Sequence, residues 1–421
     1  MPGPGPAGPR RCVVTGAGVL GVCLAARLAG AGAEVTLLEQ DQPGHAATRS
    51  SFAWLNSNDK APRAYHELNV AGIRAWEQLA AGLGGVAWYR PVGNLEWAAG
   101  PSGHAELAAR VRRLAGWGYP ARLIRAAEAA ELEPSLRLPA AVTGVAWFPG
   151  EGYLLTEAMV SHLMDHAAAQ GVMVLAGEPG RVTGFEVPEA GGGWGVRTAA
   201  GRLIPADVVV CCAGIQVPRL AALARAAVLA GAARPAVTAG AAGPIPLVPW
   251  AEPGAAAPGL VVQAGPVAPS GPVRIVHAPQ VSLRPHAGGL VHLEAPDAAV
   301  DLHTPDEELR RWAGELLDRA RRVTGGLDGA TVAGYRVCVR PMPADGRSIV
   351  GWLPGAEGVY VAVTHSGVTL GAHLAGLIAA EVLGGAGGTA PAELAPLRPG
   401  RFTARSRARP PGEARPVDPG R

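Results

Sequence analysis

Lysine is nearly absent from this chain: Lys60 is the single lysine among 37 basic residues. The 59 glycines, 39 prolines and abundant alanines go with the same arginine bias. Together they mark a GC-rich coding sequence, so glycine and proline enrichment is not read as low complexity. Net charge is only +3, and no basic stripe interleaved with aromatic residues appears, so no nucleic-acid partner is expected. Five cysteines (Cys12, Cys23, Cys211, Cys212 and Cys338) are an odd number without metal-ligand spacing. That argues against a disulfide framework and against a structural metal, and for reduced cysteines in a cytoplasmic protein. None of the 11 histidines forms a pair in a metal-binding context, so no metal is expected. No stretch reaches the roughly 20 uninterrupted apolar residues of a bilayer span, and no integral membrane segment is expected.

What the chain has is length and apolar content. Its 421 residues, 48% hydrophobic, suit two or three domains with a large core. Arg10-Arg11 before an apolar run to Leu28 is superficially similar to a twin-arginine or secretory signal. Glycines at nucleotide-binding spacing and Arg27 inside that run argue for a folded element instead. The ends, 1–10 and 403–421, are rich in Pro, Gly and Arg and read as disordered tails. Helices are expected over 66–82, over 157–169 with Thr156 as N-cap, and after Thr304-Pro305-Asp306-Glu307, which reads as a capping box with Pro305 at the first helical position. Strand-like runs fall at 194–198, 207–212, 273–276, 289–293 and 359–363. The Ala/Gly/Pro-rich stretch 231–271 yields no assignment. Early alternation of strands and helices indicates a parallel sheet.

The most informative segment is residues 12–39. Cys12-Val13-Val14-Thr15 reads as a buried strand, followed by Gly16-Ala17-Gly18-Val19-Leu20-Gly21, a G-x-G-x-x-G run. Gly16 permits the tight turn, Gly18 lets backbone approach a pyrophosphate, and Gly21 lets the helix pack closely on the sheet. The helix start offers free N–H groups and the positive dipole end to phosphate. A second strand, Val35 to Leu38, ends in Glu39, an acid placed to accept hydrogen bonds from ribose hydroxyls. Strand, loop, helix, strand and acid come in order, which makes this a dinucleotide unit. Alone it does not separate FAD from NAD.

Three later segments make that separation by resemblance. Asp207 to Gly214 (DVVVCCAG) resembles the strand-and-glycine element that closes the FAD site of two-dinucleotide flavoproteins. Arg340-Pro341-Met342-Pro343-Ala344-Asp345-Gly346, with Ile349-Val350-Gly351, resembles the R-P-x-x-x-D-G-x-x-x-x-G element of the D-amino-acid oxidase superfamily, which includes glycine oxidase, sarcosine oxidase and D-amino-acid dehydrogenase. Tyr360 to Leu370 (YVAVTHSGVTL) is similar to that family's C-terminal flavin loop, with Thr364 where many members have Gly. Thr48 to Asn56 (TRSSFAWLN) resembles the family's S-F-A segment. The resemblance spans about 12–402.

It implies an α/β fold: a discontinuous Rossmann-type FAD-binding domain (11–80, 145–230 and 335–402) and a second, α+β substrate domain on an antiparallel sheet (81–144 and 231–334). The flavin ring is expected between them. It also implies oxidation of a C–N bond by hydride transfer to flavin N5, giving an imine that hydrolyses, with oxygen or a quinone as electron acceptor. Arg340 falls where the family binds the substrate carboxylate, and guanidinium does so bidentately. The alternative is an ion-paired surface arginine. His365, Ser366, Gly367, Val368, Thr369 and Leu370 open the last helix, whose N–H groups would stabilise the reduced flavin; His365 is otherwise a satisfied histidine between strand and helix. Arg49, Ser50, Ser51, Val182, Ala213 and Gly214 complete the expected cofactor contacts. Cys338 precedes Asp345 by the spacing of the covalent flavin cysteine in monomeric sarcosine oxidases, but its surroundings differ. A buried apolar cysteine and noncovalent FAD are expected. Arg284 reads equally as a second anion contact or a solvated strand residue. Trp54 and Trp97 read as cavity lining or, more commonly for tryptophan, core. The motifs leave open C–O oxidation of a hydroxyacid-like substrate, and a catalytically silent flavin-binding subunit of a hetero-oligomer.

Overall fold

A computed structural model describes residues 9–187, 193–231, 243–255, 257–384 and 390–402. Most of both tails, and part of the unassigned stretch 231–271, lie outside the described residues. The chain divides into two compact units. Of the described residues, one unit takes those within 9–49, 156–248 and 340–402, and the other those within 50–155 and 249–339.

The first unit is built on a six-stranded sheet in the order Ile349–Trp352, Val359–Val363, Val208–Cys211, Arg11–Thr15, Glu34–Glu39, Met173–Ala176. Five strands run parallel and Ile349–Trp352 closes one edge antiparallel. Val208–Cys211 and Val359–Val363 are buried along their whole length, as a parallel sheet covered on both faces requires. The cover comes from helices Val19–Gly30, Thr156–Ala169, Val217–Gly231 and Gly367–Gly384. Val19–Gly30 packs against Gly367–Gly384 and Thr156–Ala169. An antiparallel three-stranded sheet, Val182–Glu186, Trp194–Thr198 and Leu203–Ala206, adds a small apolar layer. Gly367–Gly384 is apolar and long enough to cross a bilayer, yet more than half of it is buried within the protein (56%). It reads as a core helix, because a lipid-facing helix would not bury that share of its surface against protein.

The second unit carries an eight-stranded sheet in the order Thr331–Val339, Pro258–Gly265, Leu290–Glu294, Val281–His286, Ile275–Ala278, Asn94–Glu96, Gly144–Phe148, Arg122–Arg125. Against expectation it is not wholly antiparallel: Ile275–Ala278 and Asn94–Glu96 pair parallel, because the chain crosses between them over a long connection. The two faces differ in kind. Val276, Leu283, Leu293 and Val262 stand in one cross-strand row and pack under Ala313, Leu316, Leu317 and Ala320 of helix Asp306–Val323. By strand alternation the opposite face takes His277, Ser282, Arg284, His292, Glu294 and Gln263.

Several local expectations shift. Thr304 does not cap the Asp306–Val323 helix: its hydroxyl accepts from Asp301 N at 2.9 Å and donates to Asp301 Oδ1 at 3.2 Å, and Pro305 itself is the N-cap. The Asp301 turn outcompeted the box, leaving three acids in the first helical turn to complement the dipole. Pro258–Gly265, in the unassigned stretch, is an interior strand; its Leu260-Val261-Val262 run was hidden among Ala, Gly and Pro. Trp97 is core, 4% exposed. Segments 50–80 and 145–155 group with the second unit, since Trp54–Leu55 and Tyr89–Arg90 both pair with Gly152–Leu154.

Candidate active site

The glycine loop is held by contacts that leave no room for side chains. Gly16 takes φ +95°, and a Cβ there would sit 2.7 Å from the Ala213 Cα. On Gly21 it would sit 1.8 Å from the Gly16 carbonyl oxygen. Glu39 reaches back to this loop: Oε2 accepts from Ala17 N at 2.7 Å and Oε1 from Asp41 N at 3.0 Å. Thr48 Oγ1 accepts from Val19 N at 3.0 Å, satisfying one of the donors that a helix start leaves over.

Three distant segments meet this loop. Ala213 closes on Gly16, and Gly214 (φ +54°) lies against the Pro341 ring, 3.9 Å from its own missing Cβ. Gly367, opening the last helix, has its Cβ position 3.7 Å from Val19 Cγ1. Two helix starts, each a positive dipole end, are thereby neighbours. Ser366 N donates to Thr364 Oγ1 at 3.1 Å, and that hydroxyl also accepts from Ser348 Oγ at 2.7 Å. Thr364 thus holds the loop through its side chain, with no positive φ to demand glycine. Ser366 is 8% exposed, and its Oγ is buried without a hydrogen-bond partner among the described residues. An orphaned hydroxyl and a cradle that a single Cβ would fill suit a polar group laid over backbone, as a dinucleotide is.

Arg340 is half-buried at the end of the Thr331–Val339 strand, with its carbonyl accepting from Met342 N at 2.9 Å. Asp345 of the same motif is tied to Arg401 (2.8 Å) and Arg347 (3.3 Å); burial works against its charge, but the two guanidiniums hold its pKa below the aspartate range. His365 is exposed. Arg49 forms an ion pair with Glu157 at 2.5 Å on an exposed edge, while Ser50 and Ser51 group with the second unit. Ser51 Oγ accepts from Ala53 N at 2.8 Å. Ala53 has φ 59°, the one positive value on a non-glycine among the described residues, so this S-F-A turn is strained. Val182, itself buried, begins a half-buried strand, and its carbonyl accepts from Arg219. No disulfide joins any of the five cysteines, and all are buried, Cys338 included.

The profile of the FAD dependent oxidoreductase family (DAO) matches residues 11–381. The chain belongs to that family. FAD is its cofactor, and the α/β fold with several sheets is the family's fold. This family member resembles a glycine oxidase from Geobacillus kaustophilus at 21% identity, with 92% of this chain and 98% of that one covered and a TM-score of 0.72. An L-proline dehydrogenase from P. horikoshii matches at 20% identity, 94% and 98% coverage and a TM-score of 0.74. A curated relative, the tRNA 5-methylaminomethyl-2-thiouridine biosynthesis bifunctional protein MnmC of Nitrosospira multiformis, is 29% identical over 53% of this chain. The chain spans about a third of that relative's length (36%).

In the second unit the structure reveals polar groups that sequence reasoning missed or misread. Arg284 is fully buried, which excludes a solvated strand residue. Its Nε donates to Phe52 O, Nη1 to Pro285 O at 3.0 Å, and Nη2 to His292 Nδ1 at 2.8 Å. It lies over the Tyr153 and Phe52 rings at 4.7 and 5.6 Å. Among the described residues no carboxylate pairs with it within 4 Å. Burial draws its pKa down to about 10, so it stays charged at neutral pH. Burial and this cation keep His292 neutral.

Glu151 is also fully buried. Its Oε2 accepts from Trp54 Nε1 (3.0 Å), Asn94 Nδ2 (3.1 Å) and Asn58 Nδ2 (3.3 Å); its Oε1 faces Tyr119 OH (2.7 Å) and Ser57 N (3.4 Å). Burial, opposed by the Tyr119 and Asn94 hydrogen bonds, pushes its pKa up to about 8. The signal in the sequence was thin: an acid between two glycines in FPGEGYL looks like turn chemistry.

Proposed function

We propose that this family member oxidises the C–N bond of a small amine or amino acid: a D-amino acid, glycine or an N-methyl amino acid. FAD, when bound, would supply two-electron acceptance, so that loss of the α-carbon hydride and of the amine N–H proton would leave an imine. Water then adds to the resulting imine and releases the amine. The residues' task is orientation and electrostatics. Arg340 binds the substrate carboxylate as a bidentate donor. The cofactor is held by the Gly16–Gly21 loop, Glu39, Ala213 and Gly214, and the Ser366–Gly367 helix start, whose N–H groups favour negative charge on the cofactor. We further propose that the first unit is the FAD-binding domain and the second the substrate domain, and that FAD is noncovalent with Cys338 serving as core. Oxygen or a quinone takes the electrons, and the cytoplasm, where free cysteines persist, is the compartment.

What most supports this reading is the Pro341 ring, 3.9 Å from the Cβ position of Gly214 and next in sequence to Arg340. Anaerobic mixing of holoprotein with D-amino acids, glycine, sarcosine and hydroxyacids tests it, since only true substrates bleach the flavin. Bleaching by hydroxyacids alone would move the reading to C–O oxidation. No bleaching by any compound would favour the silent subunit. The MnmC relative's name motivates adding 5-methylaminomethyl-2-thiouridine to the panel. Arg340→Leu is expected to raise KM for carboxylated amines about 10²-fold while FAD stays bound; unchanged KM would remove Arg340 from the site.

A further inference from the structure

The Glu151 cluster fixes the tautomer of a neighbouring histidine. Three N–H donors converge on Glu151 Oε2, so any proton on this carboxyl belongs on Oε1, toward Tyr119. In either protonation state Oε2 is an acceptor, and Asn94 must turn its NH2 group to it. Asn94 Oδ1 then faces His277 Nδ1 at 2.7 Å and, as a carbonyl, can only accept. The His277 proton therefore sits on Nδ1, and Nε2 carries a bare lone pair. That Nε2 is buried and has no hydrogen-bond partner among the described residues. Burial, with Arg110 adding repulsion, lowers the imidazole pKa to about 3, so solution protons do not fill the lone pair at neutral pH.

The surroundings hold the ring in place. The Trp54 indole, itself tethered to Glu151, lies over the imidazole with centroids 4.1 Å apart, and Phe52 meets it edge-on at 5.9 Å. His277 projects from the polar face of the sheet, the same face as Arg284, and Phe52 touches both residues. A buried acceptor left without a donor costs about 1–3 kcal/mol, and the other tautomer offers no relief: it would leave a buried N–H without an acceptor at Nε2 and set the Nδ1 lone pair against Asn94 Oδ1.

We propose that His277 is a specificity-determining residue whose Nε2 accepts a hydrogen bond from the N–H of an amine ligand, with Glu151 and Asn94 as positioning residues that keep that nitrogen unprotonated. This rests on the amine-oxidation reading and adds the group that distinguishes N–H from its isosteres. A neutral acceptor holds the amine without removing its proton.

The test needs no turnover, so its failure is distinguishable from failure of the substrate panel. In 15N-histidine-labelled holoprotein, with the resonance assigned through His277→Phe, the ligand-free wild type is expected to show Nδ1–H and an unprotonated Nε2. Glu151→Gln, whose amide oxygen can still face the three donors, should retain that pattern. Calorimetric titration with pyrrole-2-carboxylate and its isostere furan-2-carboxylate should show the N–H compound binding about tenfold more tightly. His277→Phe keeps a ring under Trp54 and should erase the difference. Should that variant fail to fold, the wild-type Nε2 resonance must still shift with the pyrrole and not with the furan. An Nε2–H tautomer in the free protein, equal affinities, or no saturable pyrrole binding would each overturn the proposal.

Discussion

Replacing Gly21 by alanine adds one methyl group where the structure allows none. Gly21 lies in the first turn of the Val19–Gly30 helix, and the new Cβ would fall 1.8 Å from Gly16 O and 3.0 Å from Gly16 C. Both obstacles are backbone, so no side chain can rotate away. Restoring contact requires loop and helix to part by about 1.5 Å, inside a region packed as densely as a crystal. That overpacking costs on the order of 1–3 kcal/mol. Cofactor binding suffers more, because N–H groups displaced by such a distance lose charge-assisted hydrogen bonds to phosphate of about 1.5–3 kcal/mol each. Losing two weakens FAD by about 10²–10⁴-fold. Fluorescence titration of apoprotein with FAD reads this directly. Thermal melts give a second measure: a ligand at a hundredfold excess over Kd stabilises by about 2.7 kcal/mol, and the variant should lose that increment. Gly82→Ala is the matched control. It ends the Arg63–Gly82 helix with nothing within 4 Å of its Cβ position, so stability should hold or rise by up to about 1 kcal/mol, with FAD affinity unchanged. Gly21→Ala binding FAD within threefold of wild type would refute the reasoning.

Three other outcomes are expected. Arg284→Leu strands the Phe52 carbonyl and His292 Nδ1 and should cost about 2–4 kcal/mol, seen as a lower urea midpoint at constant m-value; an unchanged midpoint would show that these hydrogen bonds add nothing to stability. Glu151 has a folded pKa of about 8 against an ordinary 4.5, so the folded state binds the extra proton between those values. Stability should therefore fall as pH rises from about 4.5 to about 8, and Glu151→Gln should flatten that slope in melts across the range. Asp345 is shifted the other way by Arg401 and Arg347. Its contribution is present above the ordinary aspartate range and lost as pH falls through its folded pKa, so Asp345→Asn should lessen the acid sensitivity of the wild type.

The glycine loop was legible because its demands are local. A strand, a turn with φ +95° at Gly16, a helix start and an acid at Glu39 all lie within one βαβ unit, where spacing alone dictates geometry. The Val208–Cys211 and Val359–Val363 strands were legible through their apolar runs. The Asp306–Val323 helix was visible from its apolar spacing, but its cap was misassigned: Thr304 had two partners within reach, and the Asp301 turn won. Pro258–Gly265 was invisible because its neighbours come from sequence positions about 30 and 75 residues onward, and its composition resembles its flanks.

The sequence by itself determined that a dinucleotide cradle exists, which residues must be glycine in it, and, through the Arg340-Pro341 and His365-Ser366-Gly367 segments, that the cofactor is FAD. The cradle and its glycines follow from backbone conformation and short-range spacing; FAD follows from the family resemblance of the later segments. Only the tertiary structure decided the fate of isolated polar residues. Arg284, Glu151 and His277 carry no motif; among the described residues, a buried cation with no carboxylate within 4 Å, a carboxyl under five donors and an imidazole with one bare nitrogen arise when segments far apart in sequence come together. Desolvation and donor–acceptor matching act through space, and no window of sequence contains them.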